Sequence, residues 1–178
     1  QSIRKMVENS EAVLGVNSNF FDENGKPLGL IVSDGQTLHP FKDISWWGIF
    51  YFIRNQPHLI HSSQWKMDEK ISYAVQTGPR LVVNGKVSSQ LKPNQSQKTA
   101  IGFNKAGDVI LAMTLYPMEI HDLAKMMARA EAKGGLGCIE ALNLDGGSSS
   151  QLYAKSGNFE LRLPSYVGVP VGLGIFRK

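Results

Sequence analysis

Residues 141–153 read ALNLDGGSSSQLY, and this stretch decides how the chain is interpreted. Side chains of a strand alternate between two faces, so Leu142 and Leu144 share one face while Asn143 and Asp145 share the other. A sheet core needs the leucines, but it does not need a carboxylate followed by glycines and serines. Glycine lets the backbone approach a bound group or adopt a positive φ. Asp-Gly is also a strong hairpin signal, so a polar turn and a functional site are both open.

The composition is that of a globular protein and narrows the classes of partner. The 178 residues, 42% of them hydrophobic and 19% charged, favour one domain over residues 1–178 with a substantial core. The formal net charge is +4, and Lys and Arg are scattered, so no basic run predicts binding to nucleic acid. The longest apolar stretch, residues 46–53, is too short to span a bilayer. Because the chain starts at Gln1 rather than Met, we expect a short N-terminal segment to be missing.

Turn and strand signals recur along the chain and predict an α+β fold. Short apolar runs between Gly, Asn and Pro turns favour a mostly antiparallel or mixed sheet, and residues 46–54 are predicted to form a buried strand. Residues 119–133 place apolar side chains on one stripe at helical spacing, which predicts the main helix. We expect the helices to pack on one side of the sheet. Residues 88–97 are polar and aperiodic, which predicts a mobile loop.

Polar side chains gather where the predicted strands begin or end. If these ends meet at one rim, they combine carboxylates, amides, hydroxyls and two cations, a mixture that suits a sugar carrying a phosphate. Structural explanations stay open: Asp22 can cap a turn, Asn17 can form one, and Arg80 can be a solvated cross-strand charge. The polar residues at these ends are Asn17, Asn19 and Asp22, then Gln76 to Arg80, then Lys98 and Thr99, and finally Asn143 and Asp145.

The sequence lacks several motifs that carry other chemistries. It contains no glycine-rich loop ending in Gly-Lys-Ser/Thr and no Gly-x-Ser-x-Gly elbow. His58 and His61 are three residues apart on a predicted strand, so they lie on opposite faces and do not favour a shared metal. We therefore expect no metal and no cofactor.

Five short motifs follow one another along the chain. They are NSNFFD at 17–22, GLIVSDG at 29–35, QTGPRLVVNGK at 76–86, KTAIG at 98–102 and ALNLDGGSS at 141–149. Together they resemble the phosphodiester glycosidase domain family, which includes a lysosomal enzyme and many secreted bacterial proteins. The resemblance runs from about residue 13 to residue 176. It implies the fold of that family, a carbohydrate or sugar-phosphate substrate, and a secreted or periplasmic location.

The chain departs from the pattern of this family at several positions. Ser18 and Asn19 stand where members usually carry two glycines, which adds side chains where backbone can approach a ligand. Lys98 replaces an Arg, so the charge is kept but the planar fork that binds phosphate in two places is lost. The Arg that usually precedes Pro170 is also missing. These changes favour an alternative function on the same fold, a non-catalytic module that binds a glycan or a cell-wall phosphodiester.

The resemblance implies a glycosidase that breaks the bond between a sugar anomeric carbon and a phosphate oxygen. Asp145 would stabilise the oxocarbenium-like transition state, act as a base toward water or serve as nucleophile, and Asp22 is a candidate second carboxylate. The cations and the amides of the glycine turn would hold the phosphate, and polar side chains would orient the sugar. A serine nucleophile within residues 148–150 is a third alternative, without an evident base. The implied substrate-binding residues are Asn17, Gly78, Arg80, Lys98, Asn143, Gly146, Gly147, Ser148 and Ser149.

Overall fold

The computed structural model describes residues 1–68 and 70–177, and antiparallel strands predominate in them. The helices are α1 (Ile3–Glu8) and α2 (Ile120–Ala128), with 3-10 turns at Ser62–Gln64, Glu131–Lys133 and Gly147–Ser149. The strands are β1 (Ala12–Asn17), β2 (Ile31–Ser33), β3 (Gln36–His39), β4 (Gly48–Ile53), β5 (Gln56–His61), β6 (Ile71–Thr77), β7 (Arg80–Val83), β8 (Lys86–Val87), β9 (Gln95–Ser96), β10 (Thr99–Asn104), β11 (Val109–Met113), β12 (Met118–Glu119), β13 (Cys138–Asn143), β14 (Leu152–Ser156), β15 (Phe159–Leu163) and β16 (Gly172–Phe176).

The strands form three larger sheets, which we name after a central strand. The β1 sheet has the order β15-β14-β1-β16, the β13 sheet has the order β11-β10-β13-β7-β8, and the β6 sheet has the order β3-β2-β6-β4-β5. A separate ribbon pairs β9 with β12. All of these described pairings are antiparallel, which confirms the mostly antiparallel part of the predicted fold.

The main core lies where the three sheets meet. Val16 comes from the β1 sheet, Phe50 from the β6 sheet, and Leu142 from the β13 sheet, and all three are buried in one cluster. Leu144 joins them just beyond the end of β13. The leucines of the opening stretch therefore anchor the chain in the core, and the alternation of the strand turns Asn143 and Asp145 to the other side.

The two helices cover different sheets, so the expectation of helices on one side is only loosely supported. Helix α1 packs Ile3 and Val7 against Tyr153 of the β1 sheet. Helix α2 packs its buried stripe, which includes Leu123 and Met127, against the β13 sheet. Each helix is amphipathic and short, and most of its stability comes from burying that stripe.

Helix α2 ends earlier than the sequence predicts, at Ala128 rather than Lys133. Arg129 is already extended, and the following residues turn back on the helix end. The amide of Leu136 donates to the carbonyl of Met126 at 2.9 Å, which satisfies one of the last helical acceptors. The apolar period of the sequence continues past this turn, so periodicity alone could not locate the end.

Two further segments differ from the sequence predictions. The strand expected to start at Trp46 starts at Gly48, and Trp46 lies in the preceding loop. Residues 88–97 were predicted to form a loop, but the structure ties this segment down at two points. Leu91 is buried in the core beside α2, and Gln95–Ser96 forms the ribbon with β12.

In the part of the chain that the structure describes, no helix combines the length and apolar character needed to cross a membrane.

Candidate active site

The main chain of Asp145 is held by the end of strand β1. Its amide donates to the carbonyl of Ser18 at 2.8 Å, and its carbonyl accepts from Asn17 Nδ2 at 2.6 Å. Asn17 is fully buried, and its Oδ1 accepts from Thr99 Oγ1 at 2.9 Å and from the amide of Gln151 at 3.1 Å. One buried amide side chain thus ties three chain segments together beneath the turn that carries Asp145.

The Asp145 carboxylate is partly buried and turned into its own loop. The amide of Gly146 donates to Asp145 Oδ1 at 2.8 Å. Burial raises the pKa of Asp145 above the ordinary range of an aspartate, and hydrogen bonds from the Ser149 side chain and the Gly146 amide offset part of that rise. The charged form of this group is thus less well hydrated than that of a surface aspartate.

Asn143 offers an acceptor that has no protein partner. Its side chain is only 7% exposed, and Nδ2 donates to the carbonyls of Gly78 at 3.1 Å and Leu144 at 2.7 Å. With Nδ2 committed to two carbonyls, the orientation of the amide is fixed, and Oδ1 has no hydrogen-bond partner among the described residues. A buried acceptor without a partner is costly unless a ligand donor meets it, so this atom suits a hydroxyl group.

Lys98 is a buried cation whose partners are neutral. Its side chain is 2% exposed, and Nζ donates to Asn94 Oδ1 and to Ser96 Oγ. Burial lowers the pKa of Lys98, and the nearby Glu119 carboxylate opposes that shift. Among the described residues, no carboxylate lies within ion-pair distance of Lys98.

Arg80 is a second cation placed at the same end of the β13 sheet. Its aliphatic stem lies on Gly48 so closely that a Cβ there would sit 2.7 Å from Arg80 Cγ. Gly48 is therefore required to let the Arg80 side chain pass over β4. No ion pair or hydrogen bond to the guanidinium is present among the residues described.

These groups line one cavity of about 680 Å³, a volume typical of small-molecule sites. Asp145 is the only carboxylate among the described residues that line it, against three cations, so the cavity favours an anionic ligand. Across residues 1–68 and 70–177, no group of three or more His, Cys, Asp or Glu side chains is arranged to hold a metal ion. The lining residues are Phe20, Trp46, Gly78, Pro79, Arg80, Ser88, Gln90, Lys92, Pro93, Asn94, Ser96, Lys98, Ile120, Asn143, Asp145, Gly146 and Gly147.

Comparison with known families covers nearly the whole chain. The sequence pattern of the phosphodiester glycosidase family matches residues 10–176. The chain belongs to this family. The resemblance inferred from the five motifs is thereby confirmed.

Three individual proteins illustrate the distance to other members of this fold. The uncharacterised protein YigE of Escherichia coli K12 is 27% identical over 155 residues, which is 81% of this chain and 59% of that protein. The catalytic domain of zebrafish N-acetylglucosamine-1-phosphodiester alpha-N-acetylglucosaminidase, auto-inhibited by its pro-peptide, superimposes with a TM-score of 0.72 at 17% identity, over 100% of this chain and 67% of that one. A hypothetical protein from Synechocystis gives a TM-score of 0.56 at 14% identity, over 90% and 50%. Both structural likenesses concern the fold alone.

In this member of the family, the cavity gathers most of the residues predicted for the site. The strand ends of the β13 sheet and the glycine turn meet there because β7, β10 and β13 are neighbours in one sheet. The predicted residues that line the cavity are Gly78, Arg80, Lys98, Asn143, Asp145, Gly146 and Gly147. The predicted residues outside its lining are Asn17, Asp22, Ser148 and Ser149.

Asp22 and the serines have other contacts in the structure. Asp22 Oδ1 accepts from the amides of Asn24 at 3.0 Å and Lys26 at 2.9 Å, which is the turn-capping arrangement. Ser149 is buried, and its side chain opposes the rise in the pKa of Asp145. Ser148 is exposed, and its carbonyl accepts from the Ser165 hydroxyl.

The glycines of the turn have a structural reason that the sequence did not disclose. Their amides are occupied within the protein, since Gly146 donates to Asp145 and Gly147 donates to the Gln97 carbonyl at 2.8 Å. A Cβ on Gly146 would lie 2.6 Å from the Gln97 carbonyl oxygen, and Gly147 has a φ of +60°. The turn needs glycine to fold against the residues that precede Lys98.

Phe20 and Trp46 line the cavity but were not predicted as site residues. Trp46 was assigned to a buried strand, yet it is 53% exposed. The sequence did indicate that one of these tryptophans is exposed, because adjacent residues at 46 and 47 cannot both face one side of an extended segment. The polar residues at 88–96 gave no indication that they line a cavity, because the β9–β12 ribbon brings them there.

Changing Gly146→Ala is expected to lower the free energy of unfolding by about 2–3 kcal/mol, because the new methyl group must displace the backbone before Lys98. The measurement is urea unfolding followed by circular dichroism. Gly174→Ala is the matched control, since its nearest obstacle is the end of the exposed Phe176 ring at 3.1 Å. Equal losses in the two variants would contradict the close packing of the turn.

Proposed function

We propose that this protein hydrolyses the bond between the anomeric carbon of a sugar and a phosphate oxygen. The observation that carries the proposal is the composition of the cavity. One carboxylate with a raised pKa shares it with Arg80 and Lys98, neither of which has a carboxylate partner among the described residues. Membership of the phosphodiester glycosidase family supports the same class of substrate.

The two cations are suited to bind the phosphate and to stabilise it as it leaves. Glu119 and Glu140 act on these cations only from beyond ion-pair distance. An ammonium and a guanidinium without a carboxylate in direct contact gain binding energy when an anion enters. Arg80 presents a planar donor fork, while Lys98 presents a point charge fixed by Asn94 and Ser96. As the glycosidic bond breaks, negative charge grows on the phosphate, and these donors become more strongly bound.

Asp145 is the group suited to the sugar side of the reaction. Its carboxylate can stabilise the positive charge that develops at the anomeric carbon, attack that carbon, or take a proton from water. A second carboxylate acting as general acid is not demanded, because a phosphate monoester leaves without prior protonation. The free Oδ1 of Asn143 can accept a hydrogen bond from a sugar hydroxyl in the same cavity.

The direct test supplies sugar 1-phosphodiesters that differ in the sugar and measures the products. Release of a reducing sugar together with a phosphate monoester, in equal amounts, is the expected result. Release of a sugar phosphate instead would mean that the other ester bond is cut. That outcome would contradict the proposal, because the bond between the anomeric carbon and the phosphate oxygen would remain intact.

A second function, binding without turnover, is favoured by the presence of one carboxylate in the cavity among the described residues. Most glycosidases use a pair of carboxylates, so a single one also fits a module that holds a glycan or cell-wall phosphodiester. This alternative predicts saturable binding of the phosphodiester and no product after prolonged incubation.

The setting of this activity and the extent of the domain belong to the same proposal. We place the protein outside the cytoplasm, secreted or periplasmic, on the strength of the family resemblance. Residues 1–178 are taken as one domain that acts on a glycan phosphate. Lys and Arg are scattered along the sequence, so we do not include nucleic acid among the partners.

Changing Asp145→Asn is expected to stabilise the fold at pH 7. Burial raises the pKa of Asp145 in the folded protein, so its favourable contribution is complete below the ordinary aspartate pKa and is lost as pH rises through the raised value. Asparagine does not suffer that loss, so the variant should gain over wild type as pH rises from 3 to 7. The measurement is the free energy of unfolding at several pH values.

The exposed Asp43→Asn change is the control for removing a negative charge from this basic protein. A stability difference for Asp145→Asn that stays constant between pH 3 and pH 7, or that shrinks as pH rises, would contradict the burial of the charged carboxylate.

A further inference from the structure

An aromatic wall forms one side of the cavity and has no role in the chemistry described above. It consists of Trp46 and Phe20, both of which line the cavity. Both rings rest on Trp47. The Phe20 and Trp47 centroids are 5.4 Å apart at 30°, and those of Trp46 and Trp47 are 5.8 Å apart at 87°. Trp46 is 53% exposed and lines the cavity while its ring contacts Trp47, so it is an exposed ring that is supported on one side.

Trp47, the ring behind the wall, is held by close backbone contacts. A Cβ on Gly29 would lie 2.9 Å from Trp47 Cζ3, and one on Gly78 would lie 2.8 Å from Trp47 Cδ1. The Trp47 amide donates to the Ile44 carbonyl at 3.2 Å. The ring that supports the wall is thus fixed against the strand end that precedes Arg80.

The loop that carries Trp46 is held by Gln76, a fully buried side chain. Gln76 Oε1 accepts from the amides of Leu30 at 2.9 Å and Lys42 at 3.0 Å, while Nε2 donates to the Lys42 carbonyl and to Ser62 Oγ. A glutamine that satisfies four partners on three segments positions residues 40–47 before any ligand arrives. A ring positioned in advance loses little conformational entropy on binding.

We propose that Trp46 and Phe20 form a subsite for a pyranose ring of the substrate, which packs its C–H face on the aromatic wall. A pyranose has one apolar face and a rim of hydroxyls. The cavity matches it with aromatic rings and with the amides and hydroxyl of Ser88, Gln90 and Asn94. An acyl chain would displace water from these partly or fully exposed groups without offering hydrogen bonds in return. The inference rests on the proposed function, since it takes the cations for the phosphate and the rings for the sugar.

The test measures binding by calorimetry with three probes: N-acetylglucosamine 1-phosphate, inorganic phosphate and decyl phosphate. Trp46→Ala is expected to weaken binding of the sugar phosphate roughly tenfold and to leave inorganic phosphate unchanged. Trp46→Phe keeps an aromatic face and should stay within about threefold of wild type. Phe159→Ala is the matched control, because Phe159 is an exposed aromatic on strand β15 and does not line the cavity.

Three outcomes would overturn the inference. One is that Trp46→Ala binds the sugar phosphate as tightly as wild type. Another is that Trp46→Ala loses decyl phosphate but not the sugar phosphate, which would make the wall a site for an apolar group. The third is that wild type binds inorganic phosphate and the sugar phosphate equally well. Loss of the proposed reaction shows up separately, as absence of products from a phosphodiester, and leaves these affinities to be compared.

Discussion

Replacing Asp145 by Asn is expected to lower the rate of phosphodiester hydrolysis by about a thousandfold or more. The amide keeps the shape of the carboxylate, and its oxygen can still accept the hydrogen bond from the Gly146 amide. It lacks the negative charge that stabilises the anomeric carbon, and it can neither attack that carbon nor take a proton. Because the turn is held through main-chain bonds to Ser18 and Asn17, the loss should appear in kcat while the fold persists.

Asp22→Asn is the informative companion to this variant. Asparagine at 22 keeps an Oδ1 that can accept from Asn24 and Lys26, so the turn survives and only the charge disappears. The two variants should differ by at least a hundredfold in kcat. If Asp22→Asn loses as much activity as Asp145→Asn, Asp22 is the second carboxylate after all. If neither loses activity, Asp145 has no part in the reaction.

Replacing Arg80 by Met is expected to reduce kcat/KM by about 30- to 100-fold, which corresponds to losing about 2–3 kcal/mol of charge-assisted binding. Methionine keeps an apolar stem over Gly48, so the packing that a shorter residue would disturb is largely preserved. The measurement is steady-state hydrolysis of the phosphodiester, together with calorimetric titration of inorganic phosphate. Both should weaken.

Lys98→Met extends this experiment to the buried cation. It removes a charge whose only hydrogen-bond partners among the described residues are the neutral Asn94 and Ser96, so phosphate binding should fall by a similar factor. Arg162→Met is the control, because Arg162 is exposed on the edge strand of the β1 sheet. Unchanged phosphate affinity in both cation variants would remove the anion site from the cavity.

The sequence predicted which side chains face the core near the end of a strand, but it did not predict how the strands are arranged in the sheet. Alternation along residues 141–145 correctly separated Leu142, which is buried in the core, from Asp145, which lines the cavity. The family motifs correctly indicated the fold. What no local pattern could supply was the pairing of β7 and β10 on either side of β13, which brings Arg80 and Lys98 to one place.

The predicted site residues that lie outside the cavity lining depend on contacts that are distant in sequence. Asn17 is polar and ends a strand, like Asn143, yet it is buried beneath the turn and its acceptor is filled by Thr99 and Gln151. Whether an amide faces a ligand or the backbone depends on which segments surround it, and those come from more than 80 residues away in sequence. Trp46 shows a local effect instead, because its neighbour Trp47 takes the buried position and leaves Trp46 exposed.

The polar stretch at residues 88–97 is a part of this fold in which changes of sequence can alter substrate preference. This contiguous stretch supplies much of one side of the cavity, whereas Asp145 follows the end of β13 and Arg80 begins the neighbouring strand β7. Leu91 and the short β9–β12 ribbon tie the stretch to the rest of the molecule, and its second half adds hydrogen bonds through Asn94 and Gln97.

The Gln97 carbonyl accepts from the Gly147 amide in the turn that carries Asp145, and Asn94 and Ser96 accept from Lys98 Nζ. The part that relatives can exchange without disturbing these contacts is therefore residues 88–93. Exchanging that segment between family members is a direct way to vary the substrate preference of this fold.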